Sequence, residues 1–455
     1  MGAIVIVRSS VPGIEWPAMP DAPSAMLLAL SWQLERSEQW TTDELARAQA
    51  VQRAALLAHA ATTVPYYADL DRDDWASVPI TTRDQLVAAA PRLLSRAYPA
   101  AHGAADELST SRSTGPAVRV RVSGVVTAMW HALTLREHLW HARDPSLRLA
   151  VIRYTGDGAR PPEGSRLLGW GPSMQAIAPD APMSVLSVAS TTDEQIAWLR
   201  REAPGYLLTY PSILDAILRR LEATGERLPP MRQVRTISEV LAPETRERCL
   251  RVLGVPVVDI YSAQEVGYIA LECPAQAGAA RPGYHVQAER LFVEILDERG
   301  APCPAGATGR VVVTDLHNFA TPILRYEIGD YAEVGAPCAC GRGLPVLARV
   351  IGRRRNLLTY PDGRTVFPVF TVACRQAARY RALQLVQPDT GTLRARVVPE
   401  RNAGGAGDFG DEARAALAAA LRAVFDHPFA VEIEIVDELS RSPAGKLEEF
   451  VSRIR

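Results

Sequence analysis

An α/β fold follows from three features of the chain. Short β-branched runs at 117–122, 149–154 and 256–260 alternate with helical patterns at 193–202, 212–224 and 243–253. Alternation of that kind needs crossover connections, which implies a largely parallel sheet. At 455 residues the chain also exceeds what one hydrophobic core usually supports, so two or more domains are expected. The C-terminal stretch then changes character: strands near 383–387, 393–398 and 431–436 flank a helix over 411–425, with the glycine-rich run 402–408 between them. The expected architecture is a large N-terminal body with parallel and mixed sheets and a β subdomain, residues 1–353, followed by a small mobile α+β domain, residues 354–455.

Taken in order, the elements have local reasons. The opening Met-Gly-Ala-Ile-Val-Ile-Val-Arg is too short and wrongly flanked for a signal peptide. Thr41-Thr-Asp-Glu44 is a capping box that opens an alanine-rich helix, since a Thr side chain and a Glu three residues on satisfy each other's backbone N–H groups. The pattern after residue 123 places Trp130, His131 and Trp140 on one helix. The runs 292–297 and 309–314 read as hairpin-like strands and supply the β subdomain. There is no internal repeat.

Composition narrows the partners. Acidic and basic residues number 51 and 50, leaving a formal charge of -1, so there is no electrostatic footprint for nucleic acid or an anionic membrane. A small-molecule partner is expected. No apolar run could span a bilayer. Six cysteines in a chain of this length do not make a disulfide scaffold and read as free thiols or metal ligands in a reducing, cytoplasmic setting.

Four strings and one lysine carry the candidate chemistry. Residues 109–116, Ser-Thr-Ser-Arg-Ser-Thr-Gly-Pro, pack hydroxyls and a glycine before a strand, where N–H and O–H groups can converge on phosphate oxygens; an ordinary polar surface loop fits the same string. Val258-Asp-Ile-Tyr-Ser-Ala-Gln-Glu265 ends a strand with an aromatic plane, polar side chains and a carboxylate at the edge where open α/β sheets bind ligands. Tyr261 suits stacking on a base and Glu265 suits Mg²⁺ beside phosphates, while a buried Tyr and a capping Glu are the plain alternative. Pro322-Ile-Leu-Arg-Tyr-Glu-Ile-Gly-Asp330 offers Asp330 to a diol, and 349–358 follows with Gly352-Arg353. Lys446, in Ser-Pro-Ala-Gly-Lys, is the sole lysine among 50 basic residues, a position where a compact ammonium on a flexible stem serves and a planar guanidinium does not.

A metal is suggested separately. Cys338-Ala-Cys340-Gly-Arg forms a tight turn that can present two thiolates, and Cys273 with His285 lies upstream. That ligand set suits tetrahedral Zn²⁺; a plain turn with two free thiols remains the alternative. Cys249, Cys303 and Cys374 fit no such pattern.

The order of these strings resembles the adenylate-forming superfamily, and more closely its phenylacetate-CoA ligase-like branch, over a span from about Thr63-Val-Pro-Tyr-Tyr67 to the end. Thr236-Ile-Ser-Glu239 and Cys338-Ala-Cys340-Gly-Arg look like that branch in particular, whose members can carry a structural zinc there. The resemblance implies a two-step ligase that joins a carboxylic acid to ATP as an acyl-adenylate and then passes the acyl group to CoA. It implies that Ser111, Ser113, Thr114 and Gly115 cradle the phosphates, Glu265 holds Mg²⁺, and Gln264 contacts the α-phosphate. Ser238, Glu239, Asp259 and Tyr261 would form the adenine side, Asp330 and Arg353 would bind ribose, and Lys446 would bridge carboxylate and α-phosphate.

The chain departs from the family pattern at Arg112 and Pro116 in the phosphate loop, at Ser262, Ala263 and Gln264, and at Arg355-Asn356 in the hinge. Candidate walls of the acyl pocket are Trp130, His131, Tyr154, Tyr210, Ser262 and Ala263, with an aryl or arylacetic acid, such as a precursor in secondary metabolism, as the leading substrate class. A carrier protein or an amine stands beside CoA as acyl acceptor, and a homodimer is an open expectation. The reading from another class is a nucleotide-binding protein that keeps the fold and has lost the reaction.

Overall fold

A computed structural model of the chain describes residues 7–109, 118–156, 158–353, 357–366, 368, 370–400, 409–439 and 450–454. The chain divides into two compact units, Met1–Val350 and Ile351–Arg455.

The first unit opens with two helices, α1 (Ala22–Ser37) and α2 (Thr42–Thr63). Thr41 and Glu44 form the expected capping box, each side chain bonding the other's backbone N–H. A short strand β1 (Thr81–Thr82) then leads into α3 (Arg83–Ala89), and β2 (Ala105–Ser109) pairs with β3 (Arg119–Ser123) before α4 (Gly124–Trp140). The alternating stretch follows: β4 (Leu149–Arg153), β5 (Ser165–Leu168), β6 (Pro182–Ser187), α5 (Thr192–Glu202), β7 (Tyr206–Thr209), α6 (Pro211–Thr224), β8 (Gln233–Ile237), α7 (Pro243–Leu253) and β9 (Val257–Ala263). Strands β6, β4, β7, β8 and β9 lie side by side and parallel, as the crossovers require.

Both faces of this parallel part are covered, which explains why its strands read as continuous apolar runs. Along β4, Ala150 and Ile152 face the core formed with α5, α6 and α7, while Leu149 and Val151 face the core formed with α1 and α4. Beyond β9 the sheet turns antiparallel through β10 (Gly267–Glu272), β11 (Tyr284–Val286), β12 (Leu291–Leu296), β13 (Thr308–Asp315), β14 (Tyr326–Val334) and β15 (Val346–Arg353). The runs expected as a β subdomain are β12 and β13, with Phe292 opposite Thr314. They continue the same hydrogen-bonded sheet, thirteen strands among the described residues, because β11 and β15 bridge them to β10. No helix among the described residues is long and apolar enough to cross a membrane.

In the second unit β18 (Tyr380–Asp389), β19 (Thr392–Pro399), β20 (Ala430–Ile435) and β21 (Phe450–Ser452) form one sheet in the order β20, β19, β18, β21, after the small pair β16 (Leu358–Thr359) and β17 (Thr365–Val366). After the short helix α8 (Thr371–Ala377), helix α9 (Asp411–Phe425) packs Leu417, Leu421 and Phe425 with Leu385, Leu393 and Val397 of that sheet.

Candidate active site

Four neighbouring parallel strands, β4, β7, β8 and β9, end at one edge, and the residue after each is a candidate from the sequence: Tyr154, Tyr210, Ser238 and Gln264. Parallel sheets bind ligands at this edge because the chain there leaves the ladder and exposes side chains and backbone. Tyr154 donates its backbone N–H to the Tyr210 hydroxyl at 3.2 Å, so these two are brought together. Ser238 has φ +78, a left-handed conformation uncommon for a residue with a side chain. Glu239 accepts from the Ser212 N–H at 2.9 Å and its hydroxyl at 3.1 Å, fastening the end of β8 to the start of α6.

Two polar residues of one face of β9 have different partners. Asp259 is buried, with one oxygen accepting from the Thr236 hydroxyl at 2.5 Å and the other from the Tyr284 hydroxyl at 2.9 Å. Burial pushes its carboxyl up while those hydrogen bonds pull it down, and the shift is upward. The expected adenine contact from Asp259 thus meets a carboxylate engaged with β8 and β11. Tyr261 donates its hydroxyl to Asp330 at 3.0 Å, which joins the aromatic and the diol-binding candidates in one place.

Glu265 lies in the turn between β9 and β10, and its carboxylate accepts from Arg83 Nη1 at 2.8 Å and from the Tyr326 hydroxyl at 3.5 Å. A single carboxylate fits Mg²⁺ carried largely by nucleotide phosphates, the usual way this ion is held. The sequence reading missed Arg83: it sits in Thr81-Thr-Arg-Asp-Gln85, whose only visible signal is the Thr82 and Gln85 capping box.

The acyl-pocket candidates split into two groups. Ser262 stands opposite Tyr268 across the hairpin, and the Trp130 ring on α4 lies 6.1 Å from that of Tyr268, so Ser262 and Trp130 share a face, while Ala263, opposite Gly267, packs on the other core. Tyr154 and Tyr210 pair with each other at the ends of β4 and β7. His131 is half-buried on α4, and burial lowers its pKa. Gln264 follows β9, and Arg353 ends β15 in the second unit. Ser111, Ser113, Thr114, Gly115, Lys446 and the hinge residues Arg355 and Asn356 lie outside the described residues.

The four metal candidates converge. One ligand atom from each of Cys273, His285, Cys338 and Cys340 lies within 4.8 Å of the others. Cys273 and Cys338 sulfurs are 3.7 Å apart, and Cys340 Sγ is 3.3 Å from His285 Nε2. Burial and the nearby Arg342 hold the His285 imidazole neutral, down to about 4, and burial pushes the Cys273 thiol up to about 12. Three sulfurs and one neutral imidazole are the donor set of a closed tetrahedral site, so the residues fit a structural metal.

No family model matches the chain. It is 26% identical over 228 residues to the phenylacetate-coenzyme A ligase of Aromatoleum evansii, covering 47% of this chain and 50% of that one. It is 32% identical over 120 residues to the phenylacetate-coenzyme A ligase of Thermus thermophilus, covering 26% of each. These alignments span half or less of the curated relatives' length. Over nearly its whole length the fold matches 2-hydroxyisobutyryl-CoA ligase in the postadenylation state in complex with R3-HIB-AMP, with a TM-score of 0.66, 18% identity and coverage of 92% of this chain and 91% of that one. The chain is thus similar to phenylacetate-coenzyme A ligases over part of its length and shares the fold of this CoA ligase. The Tyr261–Asp330 pair and the Arg83–Glu265 pair both lie toward the C-terminal end of β9, the edge at which parallel sheets bind ligands.

Proposed function

We propose that the protein activates a carboxylic acid with ATP, forming an acyl-adenylate and pyrophosphate, and then transfers the acyl group to CoA. The observation that carries this is the convergence of Tyr261, Asp330 and Glu265 at the C-terminal end of β9, in a chain similar to phenylacetate-CoA ligases. In this reading Tyr261 packs on the adenine, Asp330 and Arg353 take the ribose hydroxyls, and Ser111, Ser113, Thr114 and Gly115 hold phosphates. Glu265 would hold Mg²⁺, which supplies charge neutralisation of the phosphates when bound. Catalysis here is mainly positioning, because the attacking carboxylate is already ionised at neutral pH and needs no general base. Lys446 supplies its charge to the α-phosphate oxygens, where negative charge builds up.

The substrate class we infer is an aryl or arylacetic acid, received between Trp130 on α4 and the β9–β10 turn. Zn²⁺ is the metal proposed for Cys273, His285, Cys338 and Cys340, with a structural role, since all four ligands come from the protein. We propose that the C-terminal domain expected from the sequence, residues 354–455, turns about the 352–356 segment between the two half-reactions, withdrawing Lys446 from the site. Arg355→Pro, which fixes φ at the pivot, then slows thioester formation more than adenylation; equal losses in both steps rule out a pivot there.

Pyrophosphate release with a panel of aryl and arylacetic acids, run without acceptor and with CoA, a carrier protein or simple amines, tests the proposal. Release with an aryl acid and thioester formation with CoA are expected. ATP binding without release for any acid would favour the nucleotide-binding protein that has lost the reaction.

A further inference from the structure

The carboxylate of Glu265 is 7% exposed, and a carboxylate so buried needs a positive partner close by. That partner is Arg83, with Nη1 2.8 Å from Oε1. The segment carrying Arg83 is fixed on the strand that carries Tyr326 and Asp330. Thr81 and Thr82 pair in parallel with Tyr326 and Glu327, and the Thr81 N–H donates to the Arg325 carbonyl at 3.0 Å. Thr82 and Gln85 then close a capping box around the first turn of α3. The guanidinium is therefore delivered by two attachments to the carboxylate proposed above for a phosphate-bound divalent ion.

We propose that Arg83 is a resident cation of the phosphate site: it holds Glu265 while no nucleotide is present and engages the triphosphate when one binds. The inference rests on the ATP-dependent reading above and adds a phosphate-binding residue to it. A guanidinium presents its N–H donors in a planar fork, and that fork matches phosphate oxygens as well as carboxylate oxygens. Tyr326, which also donates to Glu265, lets the carboxylate keep a partner as the guanidinium shifts toward phosphate. A purely structural pair would tie α3 to the hairpin and nothing more. The two roles differ in how nucleotide binding responds to metal: a resident cation neutralises part of the phosphate charge without Mg²⁺.

The test is calorimetric titration of ATP into the full chain, in excess Mg²⁺ and in EDTA, for the wild type, Arg83→Gln and Arg83→Lys, with Tm recorded for each. The quantity read is the ratio of Kd in EDTA to Kd in Mg²⁺. Arg83→Gln should raise that ratio about tenfold, the scale of one charge-assisted hydrogen bond, with Arg83→Lys between it and the wild type. A ratio unchanged in Arg83→Gln, whatever its Tm, overturns the proposal and leaves the functional reading standing. Should Arg83→Gln not fold, Arg83→Lys decides alone: an unchanged ratio there overturns the proposal too. A wild type that binds ATP in neither buffer overturns both.

Discussion

At its turn the β9–β10 hairpin carries Glu265, met by Arg83 from α3 and by Tyr326 from β14. At its other end β10 runs through Glu272 into Cys273, whose sulfur lies 3.7 Å from that of Cys338. Both ends gather side chains from distant parts of the chain, but with different chemistry. The turn assembles charges of both signs and hydroxyls, groups that can exchange a protein partner for a ligand. The far end assembles three sulfurs and an imidazole held neutral, a donor set that can close on one ion. The difference teaches that one hairpin can join a reactive edge to a structural staple, and it predicts that changes at the two ends separate activity from stability.

Lys446→Ala is expected to have the largest effect and to act on the reactive end alone. The loss of one electrostatic contact to a developing charge costs about 2.7–4 kcal/mol, a hundredfold or more in pyrophosphate release. Tm and ATP binding should stay near wild type. Near-normal pyrophosphate exchange in this variant would remove Lys446 from the site.

Cys338→Ser or Cys340→Ser should do the reverse. Metal content and Tm should fall together, by about 3 kcal/mol of stability or more as expected for loss of a metal ligand, while turnover per folded molecule is kept. Elemental analysis of protein never exposed to chelator gives the direct reading. Well under one zinc per chain would dissolve the contrast between the two ends.

Gly267→Ala tests what lies between them. This glycine has φ +77, and a Cβ there would sit 2.7 Å from Arg290 Nη1 and 3.4 Å from the Trp130 ring. Arg290 cannot move aside easily, because it is almost fully buried and paired with Asp315 at 2.9 Å. A loss of about 1–3 kcal/mol in stability follows from strained backbone and crowding. If the turn is the reactive end, pyrophosphate release should fall further than Tm explains; a purely thermal effect would make Gly267 a packing residue only.

How much of this was legible in the sequence depended on how local each signal was. The capping box at Thr41 and the helix over Pro243–Leu253 stand where the pattern put them, since caps and amphipathic spacing are decided within a few residues. The gathering of Cys273, His285, Cys338 and Cys340 was also readable, because soft ligands are few and their chemistry is narrow. Arg83 was not readable. Nothing about an arginine after two threonines says which carboxylate it will meet, and the pairing of β1 with β14 that decides it is a long-range contact. Asp259 shows the converse: the resemblance implied an adenine-side contact for it, and the structure shows its two oxygens accepting from Thr236 on β8 and Tyr284 on β11, partners the sequence does not announce. The joining of β12 and β13 to the main sheet likewise depended on strands that the hairpin pattern alone does not mention.

The smallest predicted effect is also the finest test of the reactive end. Tyr261 is buried, and its hydroxyl donates to Asp330 Oδ2 at 3.0 Å. Tyr261→Phe keeps the ring that would pack on adenine and removes only this donor. If the bond serves to aim the Asp330 carboxylate at a diol, the cost is that of one hydrogen bond, about 1 kcal/mol, read as a several-fold weaker Kd for ATP with little change in Tm. The same change in an Asp330→Asn background should then add almost nothing, because the carboxylate it aims is already gone. Additive losses in the double variant would show that Tyr261 contributes to nucleotide binding by a route that does not pass through Asp330.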